Sequence, residues 1–336
     1  MKAPFAVLCG DCRDLATVRR LMDGEKANLV ITSPPYAAQR DYDNSSGFQP
    51  IPPERYIEWY KLVADNIADV LAPDGSYFLN IKESATDGQR HLYVKKLVIA
   101  HVESWGWRFV DEFCWHKTDE GVPGGWPNRF KNAWEPVFHF VKQSNIKFRP
   151  VAVSHESDDC FDYSPYNPKS MSGSGLLGTG QRGDKARGGM ANDGVIGAAM
   201  RQTRHSDEQG RFTGLARPSN VIEAKTESTQ GSHSAPFPVA LPTFFIHAFS
   251  DPGDLVLDPF GGSGTTLMAA MLTGRRARCV EISPGYCDVV VRRLTEYQAG
   301  LEATLAGHGA TFEQVKFGRR LAAEDALKEE ALNARA

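Results

Sequence analysis

Apolar stretches of two different periods, separated by polar turns, mark out the elements of this chain. Residues 26–31 (KANLVI) rise to a short apolar run that stops at Thr32-Ser33-Pro34-Pro35. Adjacent prolines cannot continue a sheet ladder, so the pattern predicts a buried strand that hands over to a loop. Residues 54–71 carry Ile57, Tyr60, Leu62, Val63, Ile67, Val70 and Leu71 at helical spacing, then break at Pro73-Asp74-Gly75. Segment 76–81 (SYFLNI) predicts a strand, 91–104 a helix, and 108–116 and 136–142 two further strands. Order returns at 237–249; beyond it, 255–257 predicts a strand, 265–273 a helix closed by Gly274, 277–282 a strand and 286–298 a helix. Strands alternating with helices predict an α/β fold.

The texture changes after about residue 150. Between Gly173 and Gly197, nine of 25 positions are glycine. Such a stretch cannot bury enough apolar surface to offset its ordering entropy, which predicts a flexible insertion. From Met171 to Arg217 it carries seven basic residues against four acidic ones. The expected organisation is a first half at 1–150, an insertion at 151–217, a second half at 218–298 and a helical tail at 299–336 rich in Ala, Glu, Leu and Lys.

Composition narrows the class. With 336 residues, 41% hydrophobic and 24% charged, the chain can bury a full core without disulfides or a structural metal. A net charge of −3 excludes a protein coated in positive charge and leaves room for a local basic cleft. No apolar run approaches the ~18 residues of a membrane span. Asp11, Arg13 and Asp14 arrive too early for a secretory signal. The expectation is a cytoplasmic protein with no membrane partner.

The strongest chemical signal is 254–282. A strand runs into Asp258-Pro259-Phe260-Gly261-Gly262-Ser263-Gly264-Thr265-Thr266, a helix opens there, and the next strand ends at Glu281, 23 positions after Asp258. This is the pattern of the nucleoside-binding half of a doubly wound fold: glycines let backbone approach a ligand, and the acid holds ribose hydroxyls. The spacing is neither G-x-G-x-x-G nor a P-loop, so the turn suits a nucleoside cofactor without a pyrophosphate, such as S-adenosyl-L-methionine. A literal G-x-G-x-x-G at Gly173, Gly175 and Gly178 follows no strand and carries no weight. The second signal is Ser33-Pro34-Pro35-Tyr36. A stiff proline loop presents carbonyls and a hydroxyl toward one point beside a flat ring, which suits an exocyclic amine on a planar base.

Together these motifs resemble the DNA amino-methyltransferases, which methylate N4 of cytosine or N6 of adenine. The catalytic tetrapeptide precedes the cofactor loop, as in the permuted β group. His233–Pro238, Gly10-Asp11-Cys12 and Pro218–Val221 are similar to further segments of that family, and the resemblance spans about 8–145 and 215–298. It implies a Rossmann-like S-adenosylmethionine methyltransferase sheet with helices on both faces. The first half would be catalytic and the second cofactor-binding. By position, Ser33 and Pro34 would accept hydrogen bonds from the amine, with Pro35 stiffening the loop and Tyr36 stacking on a flipped base. Asp11, Phe237, Asp258, Phe260, Gly261, Gly262, Ser263, Gly264 and Thr265 would surround the cofactor, with Asp258 toward its methionine end, and Glu281 would take its ribose. Alignment of amine, methyl and sulfur would supply most of the rate. Ser before Pro-Pro leans toward cytosine N4, with adenine N6 the alternative.

The implied partners are double-stranded DNA and, in a restriction-modification setting, a cognate endonuclease, with the chain a monomer or homodimer. Arg182, Arg187, Arg201 and Arg204 of the insertion, and Arg129 and Lys131 among Trp126 and Trp134, are candidate DNA contacts. A solvated loop is the competing reading of the insertion. Cys9-x-x-Cys12 has no second ligand pair, so no metal is expected. A nicotinamide-dependent oxidoreductase and a catalytically silent DNA-binding module are the alternatives from other classes. The first needs a pyrophosphate-binding turn, and the intact motifs argue against the second.

Overall fold

The computed structural model describes residues 3–37, 48–118, 130–156, 204–206, 212–226 and 237–298. The glycine-rich stretch and the C-terminal helix expected from the sequence lie outside these residues. In chain order the elements are β1 (Phe5–Cys9), α1 (Leu15–Met22), β2 (Ala27–Thr32), α2 (Tyr56–Val70), β3 (Leu71–Asn80), β4 (Ala85–Thr86), β5 (Gln89–Arg90), α3 (Tyr93–Glu103), β6 (Arg108–Lys117) and β7 (Trp134–Val141). They continue with β8 (His155–Glu156), β9 (Arg204–Ser206), β10 (Phe212–Ala216), β11 (Val221–Ala224), α4 (Ala240–Phe249), β12 (Leu255–Asp258), α5 (Thr265–Leu272), β13 (Arg276–Glu281) and α6 (Pro284–Tyr297). Two compact units result: Met1–Lys147 with Ile222–Ala336, and Phe148–Val221. The second unit holds the antiparallel sheet β8-β10-β9, and within it the Arg217 guanidinium lies 5.7 Å from the Phe148 ring.

The first unit is built on an eight-stranded sheet of order β1-β13-β12-β2-β3-β7-β6-β11. β1, β13, β12, β2 and β3 run parallel, β7 runs against them, and β6, antiparallel to β7, resumes their direction. The α/β architecture expected from the alternating pattern is therefore present, as a mixed Rossmann-like sheet. Pleating sorts the side chains. Tyr77 meets Tyr60 of α2, their hydroxyls 2.5 Å apart, and the His101 ring of α3, while its neighbour Phe78 stacks on Phe245 of α4 at 4.2 Å on the other face. Both faces are covered, which is why β2 and β12 are apolar almost throughout. Burying a side chain such as Phe78 or Phe245 contributes roughly 1.5–3 kcal/mol.

Some elements had no sequence prediction. β1 is only half-buried, and α1 is a helix of eight residues. Asp14 starts it by accepting hydrogen bonds from the Ala16 and Thr17 amides, and Asp23 ends it in the left-handed region. β3 starts at Leu71, earlier than the apolar pattern predicts, because Leu71 pairs with Ala27 before a register shift carries the strand on to Ser76 opposite Leu29.

Candidate active site

At one edge of the sheet the parallel strands end at Cys9, Glu281, Asp258, Thr32 and Asn80. Between β12 and β2 the connections diverge to opposite sides, the place where open α/β sheets bind ligands. β7 is antiparallel, so its first residues reach this same edge: Asn80 pairs with Val137, and Trp115 of β6 lies opposite Glu135. The loops at this edge enclose a cavity of about 220 Å³.

One side of the cavity is organised by two carboxylates. Asp258 is buried, and its Oδ1 accepts from Thr32 Oγ1 at 2.7 Å and the Phe260 amide at 3.0 Å, while Oδ2 accepts from Thr266 Oγ1 at 2.6 Å. Burial pushes this carboxyl up to about 7, against the downward pull of those hydrogen bonds. Asp258 lines the cavity, yet its oxygens tie β2, the glycine turn and α5 together. Glu281 closes β13 and accepts from the Gly262 amide at 2.7 Å and the Ser283 amide at 2.8 Å. Gly262 has φ +50°, and a Cβ there would meet nothing nearer than 3.9 Å, so the turn presents backbone to open space. Gly264 is different and does not line the cavity. Its φ is +83°, and a Cβ would lie 2.8 Å from Val290 Cγ1, so this glycine seats α5 against α6.

Asp11, Phe237, Phe260, Gly261, Ser263 and Thr265 also line the cavity, joined by Trp59 and Tyr286, which the sequence had not singled out. Asp11 is held by Arg13 through Nε at 2.9 Å and Nη2 at 2.6 Å. Among the described residues the cationic groups in the wall are Arg13 and Lys117, and each carries a carboxylate partner. Acidic groups and aromatic faces around an open backbone turn fit a nucleoside that brings no pyrophosphate.

The opposite side is formed by the loop after β2. Tyr56 donates to the Pro35 carbonyl at 2.7 Å and pins the prolines. Ser33, Pro34, Pro35 and Tyr36 all line the cavity. Tyr36 is buried; its hydroxyl donates to Glu135 Oε2 at 2.9 Å and lies 3.4 Å from Asn80 Oδ1, and Ser33 Oγ is 3.5 Å from Tyr36 Oη. Lys117 Nζ lies 2.6 Å from Glu135 Oε1 and 4.7 Å from the centre of the Trp115 ring. Lys82 Nζ is 3.8 Å from the same oxygen, and burial draws its pKa down. Asn80, Trp115, Lys117 and Glu135 were missed in the sequence. They stand at predicted strand ends, but nothing in their spacing shows that β7 returns antiparallel between β3 and β6 and so brings them to one cavity with Tyr36.

The other candidates are placed elsewhere. Lys131 is exposed beside Phe130, which is 98% exposed, and neither lines the cavity. Arg129, Arg182, Arg187 and Arg201 lie outside the described residues, as does the side chain of Arg204, whose backbone is in β9. Cys9 is exposed and Cys12 buried. Among the described residues no group of His, Cys, Asp or Glu is arranged to hold a metal ion, and no helix is long and apolar enough to cross a membrane.

With the site assembled, comparison with known proteins is direct. The type II methyltransferase M.PvuII of Proteus hauseri is 28% identical over 281 residues, covering 78% of this chain and 76% of its own. The orphan methyltransferase M.BamHII of Bacillus amyloliquefaciens is 27% identical over 291 residues, covering 86% and 96%. Among solved structures, the PvuII DNA methyltransferase (cytosine-N4-specific) superposes with a TM-score of 0.59 at 21% identity, covering 89% of this chain and 88% of that one, and shares the fold. The N6/N4 DNA methylase family matches residues 27–292, from β2 into α6 and so through both sides of the cavity. The chain belongs to this family of DNA methylases, enzymes whose methyl donor is S-adenosyl-L-methionine.

Proposed function

We propose that this protein transfers a methyl group from S-adenosyl-L-methionine to N4 of a cytosine turned out of double-stranded DNA. The observation that carries the reading is the loop at the end of β2. Ser33, a neutral hydroxyl, stands first in the tetrapeptide, and the loop shares one cavity with the Glu281 and Gly262 side of the site. A hydroxyl and a proline carbonyl accept the N–H groups of an amine and turn its lone pair out of conjugation. Tyr36 offers a ring for the base to stack on, and a base inside the duplex could not enter such a cavity. S-adenosylmethionine supplies an electrophilic methyl group on a sulfonium. Glu281, whose oxygens already take two backbone amides, is the residue assigned to the ribose. The similar PvuII DNA methyltransferase is cytosine-N4-specific, which favours the same base here.

DNA contact is assigned to Arg129 and Lys131 near the exposed Phe130 and to Arg182, Arg187, Arg201 and Arg204 of the insertion. Their charge engages phosphates and makes affinity fall with salt. The type II relatives make a cognate endonuclease a natural partner. The test is mass spectrometry of nucleosides from plasmid DNA of a methylation-free host expressing the protein, beside a Ser33→Ala control. N4-methylcytosine that disappears in the control is the expected result. N6-methyladenine instead would keep the fold and reaction and reassign the base.

A further inference from the structure

The exocyclic nitrogen becomes cationic as it gains a methyl group, and it must then lose a proton. We propose, resting on the amine-methylation reading above, that Glu135 is the terminal acceptor of that proton, reached through Ser33 and Tyr36. The three side chains form an ordered series: Ser33 Oγ donates to Tyr36 Oη at 3.5 Å, and Tyr36 Oη donates to Glu135 Oε2 at 2.9 Å. The first link is the longer of the two. Asn80 Nδ2 donates to the Pro136 carbonyl at 3.0 Å, which turns Asn80 Oδ1 toward Tyr36 at 3.4 Å. The tyrosine has one hydrogen to give, and the nearer carboxylate takes it.

Burial makes this carboxylate unusual. Glu135 is 6% exposed and is balanced by Lys117 at 2.6 Å, with Lys82 at 3.8 Å. A buried ion pair adds little stability over apolar packing, so one placed directly behind the substrate-facing tyrosine points to chemistry. The step balances without a further reactant. The nitrogen lone pair forms the N–C bond while the S–C bond breaks and sulfur keeps its electron pair. One N–H proton passes to Ser33 Oγ, the Ser33 proton to Tyr36 Oη, and the Tyr36 proton to Glu135 Oε2. Such a cationic amine is strongly acidic, so a carboxylate accepts its proton. Glu135 then stands neutral beside Lys117, and the proton passes to solvent as product leaves.

The experiment compares Glu135→Gln, Tyr36→Phe and the double variant in full-length protein. It follows methylated nucleoside of either base in a single turnover, with cofactor affinity by calorimetry and DNA affinity by fluorescence anisotropy. Glutamine keeps an acceptor for Tyr36 but cannot take the proton. Phenylalanine keeps the ring and leaves the Glu135–Lys117 pair whole, so it reports even where Glu135→Gln folds poorly. Expected are falls of about 100-fold in the single-turnover rate for each variant, affinities within about twofold of wild type, and no further fall in the double variant. A Glu135→Gln or Tyr36→Phe enzyme with the wild-type rate overturns the proposal, as do single effects that multiply in the double variant. Wild-type protein that binds cofactor but methylates neither base removes the underlying reading instead, a separate and distinguishable failure.

Discussion

Asp258 shows how a residue legible in the sequence can carry a structural task that its motif does not announce. It stands where the resemblance puts a cofactor-facing acid, but Thr32, Thr266 and the Phe260 amide occupy its oxygens, so it works as the knot of the turn. Its carboxyl is pushed up to about 7 by burial, from 3.8 as the ordinary value. Between those values the native state binds more protons than the unfolded chain. The stability Asp258 contributes is therefore complete below about pH 4 and is lost as pH rises through about 7. Asp258→Asn carries no such proton. Urea unfolding from pH 5 to pH 8 should show wild type losing stability relative to this variant with rising pH, within an upper bound of about 3 kcal/mol over that range. Parallel curves would show that Asp258 stays ionised throughout. Glu281 kept the position expected of it, because a strand end fixes its last side chain. Glu135 was invisible as a single residue, since its meaning comes from Tyr36, 99 positions away in sequence.

Among the elements, the strand–turn–helix from β12 to α5 is the best argued from sequence alone. Its glycines nevertheless divide between two tasks that spacing cannot separate. Gly264→Ala would place a Cβ 2.8 Å from Val290 at φ +83°, combining backbone strain with overpacking of α5 on α6. Gly262→Ala at φ +50° meets nothing within 3.5 Å and intrudes on the cavity side. Thermal unfolding should show the Gly264 variant losing roughly 2–4 kcal/mol and the Gly262 variant about 1 kcal/mol. Cofactor titration should rank them the other way, with affinity falling more at Gly262. The reverse pairing would mean that the packing and ligand roles are exchanged. The long elements β2, α2, β6, β7 and α6 were readable because one face or the whole strand is apolar. β1 and β11 were not, because a short edge strand carries little periodic signal.

For the molecule as a whole, the residues lining the cavity fall within Gly10–Glu135 and Thr226–Tyr286, all in the unit made of Met1–Lys147 and Ile222–Ala336. Removing 173–197 should therefore leave S-adenosylmethionine affinity within about twofold by calorimetry. DNA affinity and its salt dependence should both drop, since the segment carries Arg182 and Arg187. Lost cofactor binding would show that the cavity depends on the insertion, and unchanged DNA binding would remove it from the DNA-contact surface.

By itself the sequence determined the α/β class, the chain order of proline loop before glycine turn, and the candidacy of Ser33–Tyr36, Gly262 and Glu281, which line one cavity, because these are local: a strand end, a proline stop, a turn that needs glycine. Tertiary structure decided which distant residues complete the site. Parallel pairing of β2 with β12 brings Thr32 onto Asp258, and the antiparallel return of β7 sets Glu135 behind Tyr36. Strand order and direction are settled by burial summed over the whole sheet, and a side chain's neighbours across that sheet leave no trace in the spacing along its own strand.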